Sequence, residues 1–469
     1  MLQGSPLIFN PSDPHESEDK TYDHTPLQGW KRLDEVYELL LSEREPTDFK
    51  SAAGQKEWDQ AMTSEINSIE RNKSWRLTEL PEGQRPIGLK PKGRSFVTQP
   101  EGLVKAGKEH RGAWNMKLDG VLKEYGFKRC KLEQAVYIKH AHKELLIVGI
   151  YVDDLIVTGS SREEINHFKA QMERKFEMCD LGLLSYYLGL EVKQGRDGIL
   201  TSQKGYAEKI LLQSGMSQCN PVKYPMEAGL KLTKEDGSGD VNETEYRSVI
   251  GCLRYLTHTR PDLMYSVGYM SRYMQSPKTS HSQAVKHILR YIRGTTDLGI
   301  QYNRNGSTSL VGYSDSSFLV DPDDGKGTYG IVFYYNNGPI IWNSQKQATV
   351  ALSSYEAEFT VATSAACQAI WLRGLLAEIT GRNEEQVLIK VDNKSAISLM
   401  KNHVFHGRSK HVNTRFHYIR ECVEKEQIKV EHVSGEQQRA DILTKPLPRQ
   451  KFAEMRDLLG VVKVEDSKT

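Results

Sequence analysis

Four acidic residues in the last third of this 469-residue chain stand where the sequence pattern changes element. Asp315 lies inside a strand-like run, Gly312-Tyr313-Ser314-Asp315-Ser316. Glu358 falls in the first turns of a long helical pattern, Ser353-Ser354-Tyr355-Glu356-Ala357-Glu358. Asp392 ends another strand-like run, Leu388-Ile389-Lys390-Val391-Asp392-Asn393. Asp441 opens the last helical pattern, in Arg439-Ala440-Asp441-Ile442-Leu443-Thr444-Lys445. A carboxylate in an apolar strand is costly unless its charge is compensated. Clustered carboxylates raise one another's pKa unless a cation sits among them. Two Mg²⁺ ions about 3.5–4 Å apart, held by such acids, would activate a water and stabilise the leaving oxygen of a phosphodiester. Mg²⁺ favours a few carboxylates over a histidine cage, which suits this set. Each acid alone has a plainer reading: Asp441 as a helix N-cap, Asp392 as an Asx turn, Glu358 as a solvated helix residue. The order strand-Asp, helix-Glu, strand-end-Asp, helix-start-Asp makes the combination specific.

A second candidate is Tyr151-Val152-Asp153-Asp154, where two apolar runs meet at an acidic pair. Alone, an Asp-Asp hairpin turn is common enough to prove little. His403, His406, His411 and His417 lack a second close pair and a cysteine partner, so substrate contact or a plain surface segment is expected there, not zinc.

The elements that must position these residues follow from periodicity. From Ser309 the pattern reads as strands over 309–318, 327–337, 338–352, 387–392 and 427–433. A long helix over about Ser354–Ile379 lies between the third and fourth, and a last helix spans about Arg439–Leu459. Three antiparallel strands followed by alternating helices and strands describe a mixed α/β sandwich. Upstream, helical spacing covers Lys56–Asn72, a short strand follows at Trp75–Leu80, and residues 84–112, rich in Gly, Lys and Pro, show no periodicity. A helix runs from Ala113 through Tyr125, a buried β-hairpin spans Leu145–Val157, and helices cover about 162–176 and 204–214. Residues 245–296 read as mostly helical. The expected organisation is a disordered leader (1–48), a first folded part (49–240) irregular around 88–112, a helical part (241–304), a C-terminal mixed-sheet domain (305–460) and a tail (461–469). The fold class is thus α/β and α+β.

Composition adds limits. Hydrophobic residues make up 38% and charged residues 26%, ordinary for a globular protein. No run of eighteen apolar residues occurs, so no transmembrane span is expected, and the first thirty residues carry no secretory pattern. Six scattered cysteines without a CxxC pair fit a reducing compartment. The net charge of +2 announces no nucleic-acid partner, but Tyr246–Thr296 holds eight Lys or Arg against one acid, Asp262, and Lys401–Arg420 holds five and none. Either stretch could line a phosphate path or simply be a solvated face.

The quoted acid motifs, with Trp342–Phe359, resemble the ribonuclease H domain of copia-type LTR retrotransposon polyproteins. Tyr151–Asp154 resembles the catalytic hairpin of their reverse transcriptases. Ala113–Leu118, Asp180-Leu181-Gly182, Tyr187-Leu188-Gly189 and Tyr246–Tyr302 resemble the same family. The resemblance covers residues 48–460. It implies truncated fingers and palm, a helical connection and a ribonuclease H-like domain, with Asp315, Glu358, Asp392 and Asp441 as catalytic, metal-binding acids. Glu356 is the second choice for the glutamate, and no role is carried over to His432. Two Mg²⁺ ions are implied, with Mn²⁺ as an alternative, and an RNA–DNA hybrid as partner, in an intracellular setting, cytoplasmic, nuclear or both. Asp153 and Asp154 are implied as metal ligands too. Only six residues separate Ile87–Lys90 from Val97–Gly102, where the family has a long stretch with its first catalytic aspartate. A second segment is missing at Glu109–Gly112. Asp119 falls on a helix and cannot replace that aspartate. The expected function is hybrid-directed RNA cleavage with polymerisation lost. The alternatives are a non-catalytic nucleic-acid-binding remnant, a competent RNA-directed DNA polymerase with a replacement acid, and an inert relic.

Overall fold

The computed structural model describes Trp75–Thr78, Phe96–Val97, Glu109–Gly112, and residues 114–141, 144–306, 309–382, 385–401 and 418–464. The leader, the helix over 56–72, most of 84–112, the four histidines of 403–417, most of the 401–420 basic stretch and residues 465–469 lie outside them. Two compact units result, one ending at Gly182 and also taking in Glu378–Gly381, the other formed by the rest from Leu183. Residues 183–240, grouped by sequence with the reverse-transcriptase-like part, thus pack within the second unit.

In the first unit, β1 (Trp75–Thr78), β2 (Phe96–Val97) and β3 (Glu109–Gly112) form an antiparallel sheet in the order β1-β3-β2. Residues 84–112 read as irregular in sequence, yet the backbone pairs at these points. Strands of two to four residues are too short for alternation to show. Then come α1 (Trp114–Glu124), β4 (Lys128–Arg129), β5 (Val136–Ala141), β6 (Glu144–Tyr151), β7 (Asp154–Gly159) and α2 (Arg162–Lys175). The antiparallel sheet β4-β5-β6-β7 packs Tyr137, Leu146 and Val148 against Leu118 and Leu122 of α1 and Phe168 and Met172 of α2. The start of α2 is fixed by Ser161, whose hydroxyl accepts from Glu164 N. Glu163 and Glu164 in its first turn and Arg174 and Lys175 in its last complement the helix dipole.

The second unit opens with β8 (Tyr186–Tyr187), β9 (Leu190–Gln194), β10 (Gly198–Ser202) and α3 (Lys204–Gln213), followed by the helical segment α4 (Glu243–Leu256), α5 (Met264–Met270) and α6 (Thr279–Arg293). Asn242 caps α4, its Oδ1 accepting from Thr244 N and Glu245 N. The chain continues through β11 (Leu298–Asn303), β12 (Leu310–Ser316), β13 (Thr328–Tyr335), β14 (Gly338–Lys346), α7 (Ser354–Thr380), β15 (Val387–Val391), α8 (Lys394–Lys401), β16 (Ile428–His432), α9 (Arg449–Leu458) and β17 (Val461–Lys463). One sheet runs β17-β11-β10-β9-β8. The other runs β14-β13-β12-β15-β16, antiparallel from β14 to β12 and parallel from β12 to β16. It is a ribonuclease H-like mixed sheet. Ala362, Ala365, Ala366 and Ala369 let the α7 backbone approach it closely, and Phe359, Val361 and Leu372 fill the interface with Phe333, Ile389 and Val430. Among the described residues, no helix is long and apolar enough to cross a membrane.

Two element boundaries differ from the sequence reading. The strand expected over 338–352 stops at Lys346, because its partner β13 begins at Thr328, opposite that residue. The last helix does not begin at Arg439. Asp441–Leu443 is a single 3-10 turn, and α9 starts only at Arg449. Pro446 and Pro448, each without an N–H, keep the turn from running on into the helix.

Candidate active site

Three carboxylates from three separate elements meet at one end of the mixed sheet: Asp315 from β12, Asp392 just past β15, and Asp441 from the 3-10 turn. One oxygen of each lies within 4.8 Å of the others. Glu358, at the start of α7, adjoins them and accepts from Ser316 N at 3.1 Å. Asp315 and Glu358 are 2% and 5% exposed, so both charges are held out of water. Glu356 points elsewhere: it is half-buried and accepts from Leu352 N at 2.9 Å, tying down the loop before α7.

Each acid is placed by a local device. Gly330 pairs with Asp315 across β12 and β13. A Cβ on Gly330 would meet Leu443 Cβ at 2.7 Å and Ala440 O at 2.9 Å, so only glycine lets the turn carrying Asp441 rest on the strand there. That turn is further held by Gln438 Nε2 donating to Ser314 O at 2.9 Å, and by Ser344 Oγ donating to Leu443 O at 2.6 Å. The Thr444 hydroxyl donates to Asp315 Oδ2. Asp392 sits between β15 and α8, and the next residue, Asn393, caps α8 by accepting from Ala396 N at 3.0 Å.

The electrostatics are those of acids crowded together. Burial, then the charges of Asp315 and Asp392, push Glu358 well above the usual carboxyl range. Burial and Asp315 push Asp441 up to about 6 and raise Asp392. Glu358 Oε2 is buried without a hydrogen-bond partner. Into this cluster reaches one cation, Lys445, with Nζ 2.8 Å from Asp441 Oδ1 and 3.8 Å from Asp315 Oδ2. Buried carboxylate oxygens, one of them unpartnered, around a point where an ammonium already lodges are a donor set that fits Mg²⁺ or Mn²⁺.

The hairpin acids are placed differently. Asp153 and Asp154 stand exposed at the turn between β6 and β7, beside Val152, whose backbone is left-handed (φ 52°). Trp114 Nε1 donates to Val152 O at 3.0 Å. The surrounding protein, then Asp154, raises the Asp153 carboxyl. Among the described residues, no further acid, histidine or cysteine joins this pair to make a group of three. Asp119 lies on α1, bonded to Tyr137 Oη and Lys123 Nζ at 2.7 Å each. His432 pairs with Val391 in the parallel ladder, one residue from Asp392.

Sequence reasoning named the four acids but assigned nothing to Gly330, Gln438, Thr444 or Lys445. Lys445 carried a signal, standing four residues after Asp441. Gln438 and Thr444 act on residues 124 and 129 positions away, and no local pattern encodes that.

Residues 97–228 match the family of reverse transcriptases (RNA-dependent DNA polymerases). The chain is 30% identical to the retrovirus-related Pol polyprotein from transposon TNT 1-94 of Nicotiana tabacum, over 91% of this chain and 40% of that polyprotein. It is 34% identical to the corresponding polyprotein from transposon RE2 of Arabidopsis thaliana, over 83% of this chain and 27% of that one. Among solved structures it is similar to the foamy viral protease–reverse transcriptase in complex with double-stranded DNA, with 11% identity and a TM-score of 0.43, over 80% of this chain and 69% of that chain. The family match and the sheet order define a retrotransposon Pol region, a reverse-transcriptase-family part followed by a ribonuclease H-like mixed sheet. The chain belongs to the Pol polyproteins of copia-type retrotransposons, and it spans less than half the length of these curated relatives.

Proposed function

We propose that the second unit is a divalent-metal-dependent ribonuclease that cuts the RNA strand of RNA–DNA hybrids, and that the chain does not synthesise DNA. The observation that carries the first part is the convergence of Asp315, Asp392 and Asp441 within 4.8 Å, with Glu358 beside them. Asp315, Asp392 and Asp441 would hold the cations directly, and Glu358 would complete the set from α7. Bound cations would supply the Lewis acidity that activates a water and stabilises the departing oxygen of the phosphodiester. The protein's own part is to hold the carboxylates preorganised: Thr444 fixes one Asp315 oxygen, and Gly330 and Gln438 fix the turn under Asp441.

The second part rests on the hairpin. Asp153 and Asp154 have no third acid among the described residues, whereas two-metal polymerisation needs a carboxylate from a separate strand. The alignment with the tobacco polyprotein runs over 526 positions, more than the 469 residues of this chain, so positions of that polyprotein have no counterpart here. This supports the reading of internal deletions.

The test is cleavage of a hybrid labelled on its RNA strand, with Mg²⁺, by the full chain and by Asp392→Asn. Cleavage by the native chain and a loss of roughly 10²-fold or more in the variant are expected. Absence of cleavage by a folded native chain would sink the enzymatic reading. Extension of a primed template by the same preparation would overturn the second part.

A further inference from the structure

Lys445 is the only cation within 4 Å of the Asp315 and Asp441 carboxylates among the described residues. Its backbone is fixed, with the N–H donating to Asp441 O at 3.3 Å and Pro446 following. Its side chain is not fixed in the same way. Asp315 and Asp441 are 2% and 6% exposed, but the lysine side chain is 40% exposed, so its stem has open water to swing into. Burial works against its charge, and Asp315 and Asp441 outweigh that and keep it an ammonium.

A divalent cation needs the oxygens that Lys445 now uses. A Mg–O bond of about 2.0–2.1 Å to Asp441 Oδ1 competes with the ammonium lodged 2.8 Å from the same oxygen. Two cations about 4 Å apart repel, and a 2+ ion outbids a 1+ ion for the same carboxylates. In the metal-free protein the acids gain from an internal positive charge, since like charges packed together are otherwise destabilising. We infer that Lys445 is an exchangeable resident counter-ion: its ammonium holds the acid cluster together without metal and is displaced from Asp441 when a divalent cation binds, so that it sets the metal affinity of the site. This rests on the metal-dependent reading given above.

The test is the binding of Mg²⁺ alone to the full chain by titration calorimetry, with Asp315→Asn as the blank for binding elsewhere. Lys445→Met, which keeps the stem and loses the charge, should bind Mg²⁺ roughly tenfold tighter than the native chain. Its metal-free form should melt at a lower temperature, and its Mg²⁺-saturated form close to the native one. Lys445→Gln should behave alike, and Lys445→Arg, which keeps the charge, should stay within about threefold of the native affinity. In the native chain, saturating Mg²⁺ should speed labelling of Lys445 by an amine-reactive ester, read by mass spectrometry. A purely structural lysine would lower stability without tightening metal binding. Equal or weaker Mg²⁺ binding by the neutral variants, or labelling slowed by Mg²⁺, would overturn the inference while leaving the metal site intact. No Mg²⁺ binding above the blank in native and neutral variants alike would overturn the metal reading and the inference together.

Discussion

Val152 holds a left-handed backbone at the tip of the acidic hairpin, a conformation that β-branched residues rarely adopt. Its side chain is 60% exposed, so it has little packing to offset that strain. Val152→Gly should therefore raise the stability of the first unit by about 1 kcal/mol, read as a higher melting temperature. A lower melting temperature would mean that the valine contacts outweigh the backbone cost. Which residues carry charge was legible in sequence, because an acid at a strand end or within a strand stands out against its neighbours. The choice between Glu356 and Glu358 was only partly legible. Two residues along a helix turn a side chain by more than a right angle, and the register of α7 on the sheet decides which one faces Asp315.

At the level of elements, the site depends on a turn resting directly on a strand. Gly330 is the point of contact, with Leu443, Ala440 and Thr444 all inside the space a Cβ would take. Gly330→Ala should push the 438–445 turn off β13 and move Asp441 away from Asp315. The expected result is a loss of Mg²⁺-dependent cleavage of roughly 10²-fold, with the sheet still folded by far-ultraviolet circular dichroism. Full activity in that variant would show that the turn yields without moving the acid. The five strands of this sheet and α7 were legible because each is long enough for its periodicity to show. The two prolines that part the Asp441 turn from α9 were present in the sequence too. Their effect was hidden by the continuing apolar spacing of Ile442, Leu443, Leu447 and Phe452.

Across the second unit, most of the basic stretch at 246–296 serves the fold. Six of its eight cations, Arg247, Arg260, Arg272, Lys278, Arg290 and Arg293, bond to groups of the same unit. Charge distribution along the chain could not reveal this, since the partners, Asp262 beside Arg260 excepted, are carbonyls and acids far off in sequence. Arg260 and Asp262 form a buried bidentate pair, closed by Tyr291 Oη donating to Asp262 Oδ2 at 2.7 Å. Arg272 reaches Asp321 in the β12–β13 loop at 2.9 Å, and Lys346 reaches the same carboxylate at 2.7 Å, joining the helical segment to the mixed sheet. Burial opposes ionisation of Asp321, yet Lys346 and Arg272 outweigh it and hold the carboxyl below its ordinary value of 3.8. A carboxyl held low stabilises the fold above its unfolded value and loses that contribution as pH falls through its folded value. Asp321→Asn should thus cost about 2–4 kcal/mol near pH 7 in urea unfolding, and the gap from the native chain should shrink only below about pH 4. A gap unchanged down to pH 3 would remove the ion pairs as its cause.

The carboxylate site is the central claim, and one assay addresses it most directly. Cleavage of the RNA strand of a labelled RNA–DNA hybrid with Mg²⁺ would be compared for the native chain, Glu358→Gln and Glu356→Gln. The account predicts cleavage by the native chain and by Glu356→Gln, and its loss in Glu358→Gln. Cleavage that survives Glu358→Gln but not Glu356→Gln, or no cleavage by the folded native chain, would contradict it.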